Sequence, residues 1–217
     1  MMWRDSRTYL AELMQALRLI DTRTIERFGR LLHRTYVLNR TVFCIGNGGS
    51  AALASHLAAD LAKLTTTPGQ PRLKAMSLAD SMAAVTAAAN DIGYEDVFVE
   101  QLRTYLEPGD VVIAFSTSGR SRNVLRALEY ANGRGAVTIG ITGADGEPLR
   151  AASAESLSIA SLSVQQIEDA STVAAHLICL VTRELCLAEI RPDSTDLLDT
   201  PVPVEQLRLT LDTNPSA

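Results

Sequence analysis

Apolar positions in the first part of the chain recur at helical spacing: Tyr9, Leu10, Leu13, Met14, Leu17 and Ile20, then Ile25, Phe28, Leu31 and Leu32. They predict one or two amphipathic helices over residues 3–38, with Asp21 capping a second segment. After residue 40 the pattern alternates. Short apolar runs near 41–46, 72–77, 110–115, 136–141 and 156–160 read as strands, with helical stretches near 50–64, 79–89, 94–106, 120–133 and 165–189. Gly135, Gly143 and Gly146, with Pro68, Pro108 and Pro148, mark the joins. Strands separated by helices imply an α/β fold, a doubly wound five-stranded parallel sheet with extra N-terminal helices. One domain over 1–190 leaves 191–217 as a C-terminal tail, marked by Pro192, Pro201, Pro203 and Pro215. The early apolar stripe needs a surface to cover, either its own sheet or equivalent helices of other subunits. Its place outside the strand–helix alternation favours the second, an oligomer interface.

Two polar loops each follow a buried run and open a helix. Gly46-Asn47-Gly48-Gly49-Ser50 follows Val42–Ile45, and Ser116-Thr117-Ser118-Gly119-Arg120-Ser121 follows Val111–Phe115. A strand turning through Gly and Ser into a helix gathers backbone N–H groups and hydroxyls at the carboxyl edge of a sheet, where an anion such as phosphate binds. Helix capping alone needs one hydroxyl, whereas Ser116, Thr117, Ser118 and Ser121 supply four within six residues. Gly46, Gly48 and Ala51 also satisfy a dinucleotide fingerprint, but its acidic partner is missing at the usual distance. The nearest candidate, Asp80, lies 29 positions after Ala51 and is expected to begin a helix.

Composition narrows the classes. A hydrophobic content of 47% supports a packed core, and a net charge of −5 without a Lys/Arg run gives no support to a nucleic-acid partner. Cys179 and Cys186 are seven apart on one predicted helix, about 10 Å along its axis and too far for a disulfide. With Cys44 in a buried strand, a reduced, cytoplasmic protein is expected. Arg4, Asp5, Arg7, Glu12 and Arg18 interrupt any signal-peptide core, and no apolar run is expected to span a membrane.

His56 and Asp60 are four apart on the helix leaving the first loop, and Glu168 and His176 are eight apart on the last helix. Two helices each offering an imidazole and a carboxylate suit a four-ligand Zn²⁺ site, but the same spacing suits a surface hydrogen bond. His33 is assigned to packing or solvent.

Four ordered motifs, Gly46–Ser50, Asn90-Asp91-Ile92-Gly93, Ser116–Ser121 and Thr142-Gly143-Ala144-Asp145-Gly146, make the chain similar to the sugar isomerase (SIS) family. Within it the resemblance is to the phosphoheptose isomerases, which act on sedoheptulose 7-phosphate. It implies that Asn47, Gly48, Ser50, Asp91, Ser116, Thr117, Ser118 and Ser121 bind a phosphorylated sugar, Asp91 having helix capping as its alternative role. It further implies that His56, Asp60, Glu168 and His176 hold zinc, with Asp60 and His176 moving protons. Two positions depart from the family pattern: Asp60 stands where glutamate is usual and Glu168 where glutamine is usual. The implied reaction is aldose–ketose isomerisation through an enediolate, with Asp60 as the carbon base, His176 as its acid partner and Zn²⁺ polarising the carbonyl. The implied assembly is a homo-oligomer, a tetramer, with no membrane or nucleic-acid partner. The alternatives are a non-catalytic SIS protein, which senses sugar phosphates or associates with a replication initiator, and an isomerase of another sugar phosphate.

Overall fold

A computed structural model describes residues 5–66 and 70–188. The expected tail at 191–217 lies outside them. The N-terminal segment is a bent helix pair, α1 (Ser6–Arg18) and α2 (Thr22–Val37), and the bend falls where Asp21 caps α2 by accepting from Arg23 N at 3.0 Å. Thereafter β1 (Thr41–Ile45), α3 (Gly49–Leu64), β2 (Lys74–Ser77) and α4 (Met82–Asp91) follow. A 3-10 turn (Tyr94–Asp96) leads into α5 (Val97–Tyr105), then β3 (Val111–Ser116), α6 (Arg122–Gly133) and β4 (Val137–Gly143). The order closes with α7 (Glu147–Ala152), β5 (Glu155–Ile159) and α8 (Val164–Ala188).

The five strands are parallel in the order β2-β1-β3-β4-β5. From β1 the chain winds one way to β2, and from β3 the other way to β4 and β5. Right-handed crossovers then place α3 and α6 on opposite faces. Alternation along the strands matches this division. Val42, Cys44, Val111, Ile113 and Phe115 share a core with α2, α3 and α8, whereas Phe43, Ile45, Val112 and Ala114 face α5, α6 and α7. The register Cys44↔Ile113 and Ile45↔Ala114 brings the ends of β1 and β3 side by side at the point where the winding reverses. That crevice is where open α/β sheets bind ligands.

Several details depart from expectation. Asp80 lies in the turn after β2 instead of starting a helix, because Ser81 supplies the cap by accepting from Ala84 N at 3.2 Å. Pro148 does not merely punctuate; it sits in the first turn of α7, where its missing N–H costs nothing. The apolar stripe of α2 is spent within the chain, with Phe28 and Leu32 fully buried in the core that α8 shares. On α1, Leu13 and Leu17 pack inward while Leu10 and Met14 face out.

Contrary to expectation, α8 is long and apolar enough to cross a membrane by length and composition. Its buried residues, among them Ile167, Ala174, Ile178 and Cys179, lie in the core with α2 and α3, which makes it a central helix of the domain.

Candidate active site

The crevice between β1 and β3 is framed by the two polar loops. Gly48 adopts φ +56°, a left-handed conformation in which glycine is unstrained, and starts α3 without any side-chain cap. Ser50 is buried one residue into α3. In the second loop Ser116 is buried at the end of β3. Ser121 occupies the capping position of α6 but makes no capping bond; its Oγ lies 3.2 Å from Ser116 Oγ. The hydroxyl is thus turned inward, toward Ser116. Ser118 is exposed, its Oγ accepting from Arg120 N at 3.3 Å. Ser50, Phe115, Ser116, Thr117, Glu168 and Ser171 line one small pocket. The N-termini of α3 and α6 both start from these loops, and their partial positive charge favours an anion there. Arg120 is exposed, and Arg122 is engaged by Glu95 at 3.0 Å.

The second loop is held from below. Thr142 Oγ1 donates to Ser116 O at 2.7 Å, and Gly143 N donates to Thr117 O at 3.1 Å. Gly119 has φ +64°, and a Cβ there would collide with the Gly146 backbone.

Farther along α3, His56 and Asp60 meet His176 of α8. His56 Nε2 lies 2.9 Å from His176 Nε2 and 3.2 Å from Asp60 Oδ2, and His176 Nε2 lies 3.7 Å from Asp60 Oδ2. Ligand atoms around a tetrahedral Zn²⁺ are separated by about 3.3 Å, given bonds of roughly 2.0–2.1 Å. The three donors bracket that separation, and two imidazoles with a carboxylate are the chemistry zinc accepts. They fit a metal ion.

Glu168 is not gathered with them. Its carboxylate lies against Gly49 at the start of α3, in space that any side chain at position 49 would fill. Four expected ligands are therefore seen as a cluster of three, with the fourth beside the serine-lined pocket. Asp91 is the exposed last residue of α4 and accepts from Asn90 Nδ2 at 2.7 Å. It caps no helix, since Gly93 precedes the 3-10 turn.

Sequence reasoning missed two residues of the first loop's surroundings. Asn47 pairs through its amide with Asn123 of α6, and Tyr94 OH donates to Asn47 Oδ1 at 2.9 Å. No local periodicity signals these contacts; only the proximity of Tyr94 to the Asn90–Gly93 motif pointed that way. Ser55 donates to Asp80 on the neighbouring edge, so Asp80 braces α3 instead of facing a cofactor ribose.

The SIS domain model matches residues 7–143. A probable phosphoheptose isomerase of Thermoplasma volcanium is 36% identical over 82% of this chain and 90% of its own length. The phosphoheptose isomerase of Rhodospirillum rubrum is 40% identical over 68% of this chain and 78% of its own. The structure of phosphoheptose isomerase GmhA from Neisseria gonorrhoeae superposes with a TM-score of 0.73 at 28% identity, covering 82% of this chain and 96% of that one. With the family model spanning more than half of its length, the chain belongs to the SIS domain family, in the branch of the phosphoheptose isomerases.

Proposed function

We propose that the chain interconverts sedoheptulose 7-phosphate and D-glycero-D-manno-heptose 7-phosphate. Its family makes it a sugar-phosphate isomerase of the aldose–ketose class. The convergence, within 4.8 Å, of His176 of α8 with His56 and Asp60 of α3, the helix that also starts from the phosphate-type loop, carries the more specific reading. Ser50 and His56 are six residues apart on α3, about 9 Å of helical rise, the scale of an extended seven-carbon sugar between its phosphate and its carbonyl end.

The phosphate is held by Ser116, Thr117, Ser118 and Ser121, with Ser50, Asn47 and Gly48 across the crevice and Asp91 toward the sugar. Isomerisation moves one proton between C1 and C2 and one between their oxygens, through an enediolate. Asp60 turns Oδ2 toward the two imidazoles, which leaves Oδ1 to take the carbon-bound proton and return it to the neighbouring carbon. His176 commits Nε2 to the cluster, which leaves Nδ1–H as the proton-bearing atom for the oxygens. A Zn²⁺ ion held by His56, Asp60 and His176 would polarise the substrate carbonyl.

Self-association belongs to the same reading. Leu10 and Met14 of α1 and Val173, Leu177 and Leu180 of α8 form outward apolar positions, and α4 has no buried residue although it is rich in alanine. We assign these faces to a homo-oligomer, a tetramer, and the three free, buried thiols to a cytoplasmic setting.

The test is incubation of the zinc-loaded protein with sedoheptulose 7-phosphate, followed by NMR for the aldose. Appearance of the aldose signals supports the proposal. No conversion, with sugar-phosphate binding intact, would leave a sensor and remove the enzyme.

A further inference from the structure

Asn47 offers four hydrogen-bonding positions, two lone pairs on Oδ1 and two N–H groups on Nδ2. Oδ1 accepts from Asn123 Nδ2 at 2.8 Å and from Tyr94 OH at 2.9 Å, so both lone pairs are used. One N–H donates to Asn123 Oδ1 at 2.9 Å. A single N–H is left over.

The orientation of this pair is set by the backbone. Flipping both amides together would preserve the reciprocal pairing, so the pairing alone does not choose. Val124 N, which can only donate, points at Asn123 Oδ1 at 3.0 Å and fixes Asn123, and Asn123 in turn fixes Asn47. Asn123 is buried at 3% exposure, whereas Asn47 is half-buried at the crevice. Tyr94 is carried by the 3-10 turn, which α6 grips through Arg126–Asp96 at 2.9 Å and Arg122–Glu95 at 3.0 Å. Both partners of Asn47 therefore hang on the first two turns of α6, the helix that begins at the serine loop.

We propose that Tyr94 is a positioning residue that, with Asn123, saturates the Asn47 carbonyl, so that Asn47 meets the bound sugar phosphate as a hydrogen-bond donor only. The inference rests on the sugar-phosphate reading above. It assigns Asn47 to a substrate oxygen that can accept, a carbonyl or hydroxyl oxygen, and denies it a hydroxyl hydrogen. Removing the Tyr94 hydroxyl frees a lone pair on Asn47 and loosens the amide.

The test compares Tyr94→Phe with the unaltered enzyme by three readouts. These are turnover of sedoheptulose 7-phosphate, competitive inhibition by inorganic phosphate, and the Asn47 side-chain amide signals in ¹H–¹⁵N spectra of the ligand-free protein, assigned by their loss in Asn47→Asp. The KM for the sugar phosphate is expected to rise roughly five- to tenfold, the worth of about one hydrogen bond. The turnover number falls by less than KM rises, inhibition by inorganic phosphate is retained, and the Asn47 amide signals shift. An unchanged KM or unmoved amide signals would overturn the assignment. So would a parallel loss of phosphate inhibition, which marks a general loosening of the serine loop. Should Tyr94→Phe not fold, Asn47→Asp decides, because it keeps the size but exchanges the N–H donor for an oxygen. A retained KM there overturns the proposal and a larger rise supports it. If the unaltered protein neither binds nor turns over the sugar phosphate, the substrate reading fails, while the amide spectra still decide whether Tyr94 holds Asn47.

Discussion

The imidazoles of His56 and His176 face each other at 2.9 Å through their Nε2 atoms, although 120 residues separate them along the chain. Their rings are inclined at 57°, and Asp60 Oδ2 completes the triangle. Two nitrogens at that distance are compatible with one shared proton or one shared cation.

The cation alternative has a direct check. The purified protein is expected to carry about one Zn²⁺ per chain, and His56→Ala or His176→Ala to lose it, because removing one of three ligands leaves too few for stable retention. Elemental analysis after gel filtration measures this. Full metal content in both variants would place any ion elsewhere.

The proposed proton-moving roles are testable apart from substrate binding. Asp60→Asn and His176→Gln are expected to reduce turnover by about a hundredfold or more, while sugar-phosphate binding measured by calorimetry persists. Turnover at the unaltered rate in either variant would remove that residue from the chemistry.

The proposed function gives the serine loop a role in binding. Replacing Ser116 and Ser118 by Ala is expected to raise KM roughly tenfold or more, since hydrogen bonds to a charged phosphate are worth about 1.5–3 kcal/mol each. Ser121→Ala should resemble Ser116→Ala, because the two hydroxyls lie 3.2 Å apart. Steady-state kinetics with unaltered KM would contradict the phosphate assignment.

Gly119→Ala tests the packing beneath the loop. A methyl group would enter the Gly146 backbone at φ +64°, a doubly unfavourable site. Roughly 1–3 kcal/mol of stability should be lost, visible as a lower denaturant midpoint. Gly133→Ala, where nothing lies within 4 Å of the new methyl, serves as the contrasting variant.

Tyr9 of α1 donates to Asp169 of α8 at 2.5 Å, and that bond, with burial and the charges of Asp169 and Glu168, pushes the phenol up to about 12 from 10.0. A raised folded-state value favours the protonated form. Its contribution is therefore whole below pH 10 and lost as pH rises toward 12. Tyr9→Phe should lower stability at pH 8 and flatten the decline between pH 10 and 12, as measured by urea unfolding across that range. An identical alkaline decline would show that the bond carries no linkage.

Much of this architecture was legible from local chemistry. The Asp21 cap, the alternation of strands and helices, and both glycine–serine loops announce themselves within windows of a few residues. α7 did not, because it has only six residues and carries in its first turn a proline that reads equally well as punctuation. The Asn47–Asn123–Tyr94 network was invisible because its members are 47 and 76 positions apart and none carries charge. Helical spacing supplied the pairs at 56/60 and 168/176, and the SIS resemblance added their role as ligands, but the side-chain rotamer that sends Glu168 toward Gly49 is a packing outcome, and no spacing rule encodes it.

The parallel pairing of Cys44 with Ile113 reaches beyond the sheet. A slip of one residue would displace one loop past the other by about 3.3 Å and turn every inward side chain of β1 outward. The spacing between the two rims of the crevice is therefore written into the hydrogen-bond pairing of the strands beneath it. Altering how long a sugar the cleft accommodates calls for changes at the rims or along α3, because the strands themselves offer no intermediate setting.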